Sequence, residues 1–335
     1  MRHAIKTLCT IASFSALTTV AMALAATCAH GAGFQHGIAA DPNGKPLEIG
    51  IWYPSQATPK SMTMGPTTMP VAFNGPIEGR ALPLVVMSHG TGSSFLGHYD
   101  TAIALADAGY VVAAVTHTGD NYADQSRSVL IMDRPRQMRR VIDHMLSSWD
   151  SRATIDPDRI GMFGFSAGGF TTLASIGGLA DFSRVGPMCG AHPADFACQL
   201  IAKAGTAGTA PPDTSPAQDD RIKAAVVAAP ALGFAFSPDA LKHVKIPVQL
   251  WRAEDDAMLP HPRYAEAVRL ALPKIPDYHV VHKAGHFDFL APCSAALANI
   301  AAVICKSGPG FDRVAFHQSF NAAVVDFFGK NLKRD

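Results

Sequence analysis

The chain is poor in charge. Asp, Glu, Lys and Arg make up 16% of its 335 residues and nearly cancel, leaving a formal net charge of +1. That balance offers no electrostatic case for nucleic acid or an anionic membrane as partner. Low charge combined with 48% apolar residues also excludes whole-chain disorder, which needs low hydrophobicity and high net charge. The cysteines lack any C-x-x-C or H-x-x-x-H companion, so no zinc-type metal spacing is present. No internal repeat is evident, and apart from the N-terminal run no segment is long and apolar enough to span a bilayer.

That N-terminal run reads as an export signal. Arg2, His3 and Lys6 form a basic start, residues 11–26 are rich in Ala, Leu, Ile and Val, and small residues follow. Ala23-Leu24-Ala25 and Ala29-His30-Gly31 both offer cleavage sites. The expectation is a signal over about residues 1–31 and an exported, periplasmic or secreted chain over 32–335. A single membrane anchor is the alternative, but no second basic flank follows, and Ala25-Ala26-Thr27 before Cys28 fits a lipobox poorly. With Cys9 and Cys28 set aside, Cys189, Cys198, Cys293 and Cys305 remain. Four cysteines in an exported chain point to two disulfides, with three pairings possible. The short-range pairs Cys189–Cys198 and Cys293–Cys305 are the preferred choice.

Short Val/Ile/Leu-rich runs alternate with helical patterns, which predicts an α/β protein with a mostly parallel twisted sheet and helices on both faces. Residues 47–53 alternate like an edge strand, and 54–82, rich in Pro, Thr, Met and Gly, read as a long connection. A buried strand is expected at 84–87, and further strands at 110–115, 159–165, 224–228, 247–251 and 278–281. Residues 116–132 read as a polar loop. Met138, Val141, Ile142, Met145 and Leu146 make one helical stripe, with Pro135 in the first turn. Phe320, Ala323, Val324, Phe327 and Phe328 make another. From about 177 to 220 the pattern breaks, and a structureless stretch of that length is unusual inside a domain. It is read as an insertion over the sheet.

Gly164-Phe165-Ser166-Ala167-Gly168 matches G-x-S-x-G after a strand and before a helix. The serine of such an elbow sits in strained backbone geometry, and glycines two positions away let neighbouring chain pass close. The turn lifts the hydroxyl above the carboxyl edge of the sheet, at a helix N-terminus that favours a developing oxyanion. A serine hydroxyl needs a base, and the base needs an orienting acid, in the chain order Ser, Asp or Glu, His. Of Glu254, Asp255 and Asp256, which follow the strand at 247–251, Asp256 is favoured, Asp255 second and Glu254 third. His286, in Lys283-Ala284-Gly285-His286-Phe287, is chosen over His282 and His261 by position, although fourteen histidines make any one suspect. The oxyanion hole is assigned to the backbone N–H groups of Ala167 and Thr91, and His89 is read as structural.

Taken together, these residues resemble the exported dienelactone-hydrolase-like branch of the α/β-hydrolase superfamily, close to platelet-activating-factor acetylhydrolases. The resemblance rests on Trp52-Tyr53-Pro54, Ser88-His89-Gly90, Gly119-Asp120-Asn121, the Ser166 elbow with Gly169, Glu254-Asp255-Asp256 and Gly285-His286-Phe287-Asp288-Phe289. The segments around Cys189–Cys198 and from Pro292-Cys293 to Phe311-Asp312 are also similar. It implies the α/β-hydrolase fold, a Ser/Asp/His triad and ester hydrolysis without a cofactor. Serine stands where dienelactone hydrolases carry a nucleophilic cysteine, which turns the expectation from lactones to ordinary esters.

The leading expectation is a serine esterase acting on a small-molecule or lipid-like ester through an acyl-enzyme on Ser166. A hydrolase of long-chain or polymeric esters, a peptidase, and a non-catalytic binding protein on the same scaffold are the alternatives. Phe287 and Phe289 are considered as acyl-pocket residues, with core packing the commoner role.

Overall fold

The computed structural model describes residues 31–42, 44–205 and 217–333. The expected signal, Cys9 and Cys28, and the stretch 206–216 of the insertion lie outside the described residues. Among the described residues ten strands form one sheet: β1 (Gly31–Ala39), β2 (Leu47–Ser55), β3 (Lys60–Met64), β4 (Thr67–Phe73), β5 (Leu82–Ser88), β6 (Val111–Thr116), β7 (Ile155–Phe165), β8 (Ile222–Ala228), β9 (Val248–Ala253) and β10 (Asp277–Val281). Their order is β10-β9-β8-β7-β5-β6-β2-β1-β4-β3. From β10 to β6 every neighbouring pair is parallel. β2 then runs antiparallel to both β6 and β1.

Of the parallel strands, β5, β6, β8, β9 and the second half of β7 are largely buried on both faces, as their continuous apolar runs require, while β10 is a partly exposed edge strand. Leu84 and Val86 of β5 point into one core with Met138, Val141, Phe170 and Leu173. Val85 and Met87 point into the opposite core with Ala102, Leu105, Phe320 and Val324. The first core is covered by α2 (Asp133–Ser147) and α3 (Ala167–Ser175), the second by α1 (Tyr99–Asp107) and the C-terminal helix Arg313–Asn331. This is the doubly covered sheet of the α/β-hydrolase fold.

Two readings of the N-terminal third need correction. β2 is an internal strand, nearly buried throughout. Its Gly50 is a packing gap and not a solvent-facing position, since a side chain there would strike the rings of Phe95 and Trp52. Residues 54–82 are not simply a connection, because they hold the β3–β4 hairpin. In β4 the burial alternates, with Thr67, Met69 and Val71 inward, a period of two hidden in the sequence by Pro70 and two threonines. β1, which starts at Gly31, has no counterpart among the strands expected from the sequence.

Between α3 and β8 the chain leaves the sheet. It forms α4 (Val185–Ala191) and α5 (Phe196–Ala204), joined by the Cys189–Cys198 disulfide. A second disulfide, Cys293–Cys305, closes the loop before the C-terminal helix. Among the described residues no helix is long and apolar enough to cross a membrane.

Candidate active site

Four loops leave the carboxyl ends of parallel strands on the same edge of the sheet, where open α/β folds form their crevices. They follow β5, β7, β9 and β10, and carry Thr91, Ser166, Asp256 and His286.

Ser166 has φ 57° and ψ −117°, a left-handed conformation rarely adopted by a side-chain-bearing residue. The surrounding chain enforces it. Ser166 N–H donates to the Ala228 carbonyl at 2.9 Å, and its own carbonyl accepts from Ala231 N–H at 2.9 Å and Phe170 N–H at 3.1 Å. A Cβ on Gly164 would collide with the Gly168 carbonyl, one on Gly168 with the Ser88 carbonyl, and one on Gly169 would lie 2.8 Å from Pro230 Cα. The glycines are therefore required by close approach of backbone to backbone.

Ser166 Oγ lies 3.0 Å from His286 Nε2, and His286 Nδ1 lies 2.7 Å from Asp256 Oδ2. All three residues are buried. Nδ1 beside a carboxylate carries the ring proton, which leaves Nε2 free to accept from the serine hydroxyl. The other Asp256 oxygen, Oδ1, accepts from the N–H groups of Leu259 at 2.8 Å and Met258 at 3.0 Å. Asp255 and Glu254 are not part of this cluster. Both are exposed, and Glu254 turns to His282 at 3.2 Å and to Lys283 N–H at 3.0 Å, which holds its carboxyl below the usual range. The turn bearing His286 is fixed by Asp288. Its Oδ2 accepts from Gly285 N–H at 2.8 Å, while Oδ1 accepts from Arg313 Nε at 3.0 Å and from Ser307 Oγ.

Thr91 and Ala167 line one cavity with Ser166. Ala167 begins α3, so its N–H has no acceptor within the helix. The Thr91 loop stands on a buried polar scaffold. His89 Nδ1 donates to the Gly90 carbonyl at 2.6 Å and Nε2 accepts from His117 N–H at 3.0 Å. His117 Nδ1 meets Gln137 Oε1 at 2.7 Å and its Nε2 meets Ser88 Oγ at 2.8 Å. Arg134 donates to the His89 carbonyl at 2.6 Å and pairs with Asp120, which also accepts from Gly92 N–H at 3.1 Å and Ser128 Oγ at 2.9 Å. Burial, reinforced by Arg134, pushes both histidines well below their usual range. His89 is thus a neutral structural residue. Sequence reasoning passed over Arg134; its nearest signal was Asp120, a buried acid in need of a cation.

The cavity encloses about 400 Å³. One wall is Val129–Met132, so the segment read as a polar loop ends in an apolar run facing the serine. The other is Phe182, Val185, Phe196, Leu200 and Ile201 from the excursion around α4 and α5, and Leu232 and Leu259 contribute from the body of the fold. Phe287 and Phe289 do not line it. Phe289 is fully buried, against Phe165 and Phe320. Among the described residues no group of three or more His, Cys, Asp or Glu side chains is placed to hold a metal ion.

Fold and site geometry together place the chain among proteins of the α/β-hydrolase fold. More narrowly, residues 52–137 match the family described as platelet-activating factor acetylhydrolase, isoform II. This stretch runs from β2 into α2 and holds the Thr91 loop and its scaffold, but stops short of Ser166. Among solved structures, a ferulic acid esterase from Streptomyces cinnamoneus is similar with TM-score 0.60 and 20% identity over 92% of this chain and 91% of its own. A dipeptidyl aminopeptidase IV candidate from Bacteroides ovatus is similar with TM-score 0.53 and 13% identity, over 90% of this chain but 36% of its own length. At these identities the likeness is one of fold. No curated protein sequence matches the chain.

Proposed function

We propose that this chain is an exported serine hydrolase that cleaves carboxylic esters through an acyl-enzyme on Ser166. The observation that carries the reading is the hydrogen-bonded chain Ser166 Oγ–His286 Nε2–Asp256, at 3.0 and 2.7 Å, opening into an apolar cavity. His286 Nε2 takes the hydroxyl proton as Oγ attacks the ester carbonyl carbon. Asp256 holds the ring in the productive tautomer and stabilises the imidazolium. The N–H groups of Ala167 and Thr91 receive the oxyanion, each such donor being worth about 3–4 kcal/mol in the transition state. The tetrahedral intermediate collapses, the C–O bond to the alcohol breaks, and His286 returns the proton to the leaving oxygen. Water then attacks the acyl-enzyme, again losing its proton to His286, and the acid departs as Ser166 Oγ is reprotonated.

The apolar walls favour an ester carrying an apolar acyl or aryl group, and nothing in the chain's near-neutral charge favours a nucleic-acid partner. The family match over residues 52–137 supports ester over peptide substrates. Export is supported by the basic-then-apolar N-terminus and by two disulfides, which persist in oxidising compartments. The test is hydrolysis of p-nitrophenyl acetate, p-nitrophenyl octanoate and a ferulate ester, with fluorophosphonate labelling. The expected result is turnover and labelling in the native chain and neither in Ser166→Ala. Labelling that survives in Ser166→Ala, or a native chain inert to every ester, would overturn the reading.

A further inference from the structure

Asp195 occupies the N-cap of α5, where a carboxylate ordinarily takes the free amides of the first turn. Here its side chain makes no such bond. It receives instead Arg263 Nη2 at 2.9 and 3.1 Å, Arg263 Nε at 3.3 Å and the Tyr264 hydroxyl at 2.9 Å. Asp195 and Tyr264 are buried. A forked guanidinium–carboxylate contact backed by a phenol is a geometrically demanding link, and this one spans 68 positions in sequence between the excursion and the body of the fold.

Its two ends both border the cavity over Ser166. The residue after Asp195 is Phe196, which lines the cavity together with Leu200 one turn on. Arg263 follows the loop that holds Asp256 and Leu259, and Leu259 also lines the cavity. On the body side Tyr264 is anchored by packing edge-on to Phe234 at 5.6 Å between ring centres. The Cys189–Cys198 disulfide ties α5 only to α4, itself part of the excursion. The carboxylate of Asp195 therefore holds the first turn of α5 against the core at the position where α5 faces the nucleophile.

We infer that Asp195 is a specificity-determining positioning residue. Through Phe196 and Leu200 it fixes the distance between the apolar wall and Ser166, so that a medium-length apolar acyl group is gripped along its length. An acetyl group is too short to feel that wall. The inference rests on the ester-hydrolase reading of the site and adds to it the class of acyl group selected and the residue that selects it. Asp195 touches no reacting atom, so its loss acts on the binding of long acyl groups and not on the chemistry common to all esters.

The experiment compares kcat/KM for p-nitrophenyl octanoate and p-nitrophenyl acetate in the full chain and in Asp195→Asn, Arg263→Ala, Arg263→Lys and Tyr264→Phe. The octanoate-to-acetate ratio is expected to fall about tenfold in Asp195→Asn and Arg263→Ala, chiefly through KM for octanoate, in line with the discrimination that wall contacts supply. Arg263→Lys, which keeps a cation, should recover part of it. Tyr264→Phe removes one hydrogen bond and should give a smaller fall in the same direction, which keeps the test available if Asp195→Asn does not fold. A ratio unmoved in variants that melt like the native chain would overturn the inference alone. A native chain inactive on both esters would overturn the ester reading and the inference with it.

Discussion

Arg134 and Asp120 are locked together beneath the loop that carries Thr91, with Arg134 Nε 2.9 Å and Nη2 2.7 Å from one carboxylate oxygen, and both side chains almost wholly withdrawn from solvent. A charge removed from water is tolerated only when paired, so the stability of the pair lies in its completeness. Replacing Arg134 by Met should strand the buried Asp120 carboxylate and cost about 3–5 kcal/mol, whereas Asp120→Asn with Arg134→Met should cost clearly less than the two single effects added. Chemical denaturation of the four proteins measures this. Activity of the single variants should fall as well, because Arg134 also holds the His89 carbonyl in the same loop.

Asp256 and its neighbours should separate sharply in kinetics. Asp256→Asn leaves His286 Nδ1 facing an amide and invites the wrong tautomer, so kcat should drop by about 10³–10⁴. Asp255→Asn and Glu254→Gln remove exposed side chains outside the cluster, and their kcat should change little. Steady-state hydrolysis of p-nitrophenyl acetate distinguishes the three, and a large loss at Asp255 would displace Asp256 from its role.

Ser166 is held at positive φ by its surroundings, so stability and activity should part company there. Ser166→Gly relieves the backbone strain and should raise stability by about 1 kcal/mol while abolishing ester hydrolysis. Gly168→Ala should do the reverse to the fold, because its Cβ meets the Ser88 carbonyl; a loss of about 3 kcal/mol or failure to accumulate is expected. Thermal melts beside activity assays check both.

Acid should weaken the fold well before the carboxylates titrate. His89, His98 and His117 are buried and held below the usual histidine range by loss of solvation. His98 lies between Phe163 and Phe165 and is pushed down to about 4, with Asp100 opposing the shift. Each stays neutral in the native state at a pH where the unfolded chain already binds a proton. The unfolded state thus gains protons first, and stability falls as pH drops below about 6.5, by about 1.4 kcal/mol per pH unit for each such histidine, until its own folded value is reached. Denaturation midpoints at pH 7.5, 6 and 5 should show this slope, and His98→Phe should reduce it. A midpoint constant from pH 7.5 to 5 would contradict the account.

The Cys189–Cys198 and Cys293–Cys305 bridges close short loops. Replacing either pair by serines should lower stability by roughly 2–3 kcal/mol, through release of the unfolded chain. Differential melting of the two double variants against the native chain provides the measurement.

Much of this architecture is local and therefore legible along the chain. A strand buried on both faces must be a continuous apolar run, which marks β5 to β9. A serine forced to positive φ beside crossing backbones needs glycine at 164 and 168, which marks the elbow. Once the elbow is set, chain order narrows the base to His286 and the acid to three neighbours. Other features are long-range. Whether each of those three carboxylates faces solvent or His286 depends on how the loop after β9 meets the loop after β10, and of the three only Asp256 is buried and meets that ring. The β3–β4 hairpin was hidden because its inward positions are threonine, methionine and valine scattered among turn residues. The Asp195–Arg263 tether and the meeting of Val129–Met132 with Phe196 and Leu200 around one cavity join segments far apart in sequence, and no local pattern encodes such pairings. Composition and periodicity thus specified the sheet and the serine elbow, because backbone sterics and burial act residue by residue. The Asp256–His286 contact, the cavity and its anchored wall came only with the fold, because they depend on which distant side chains lose their water together.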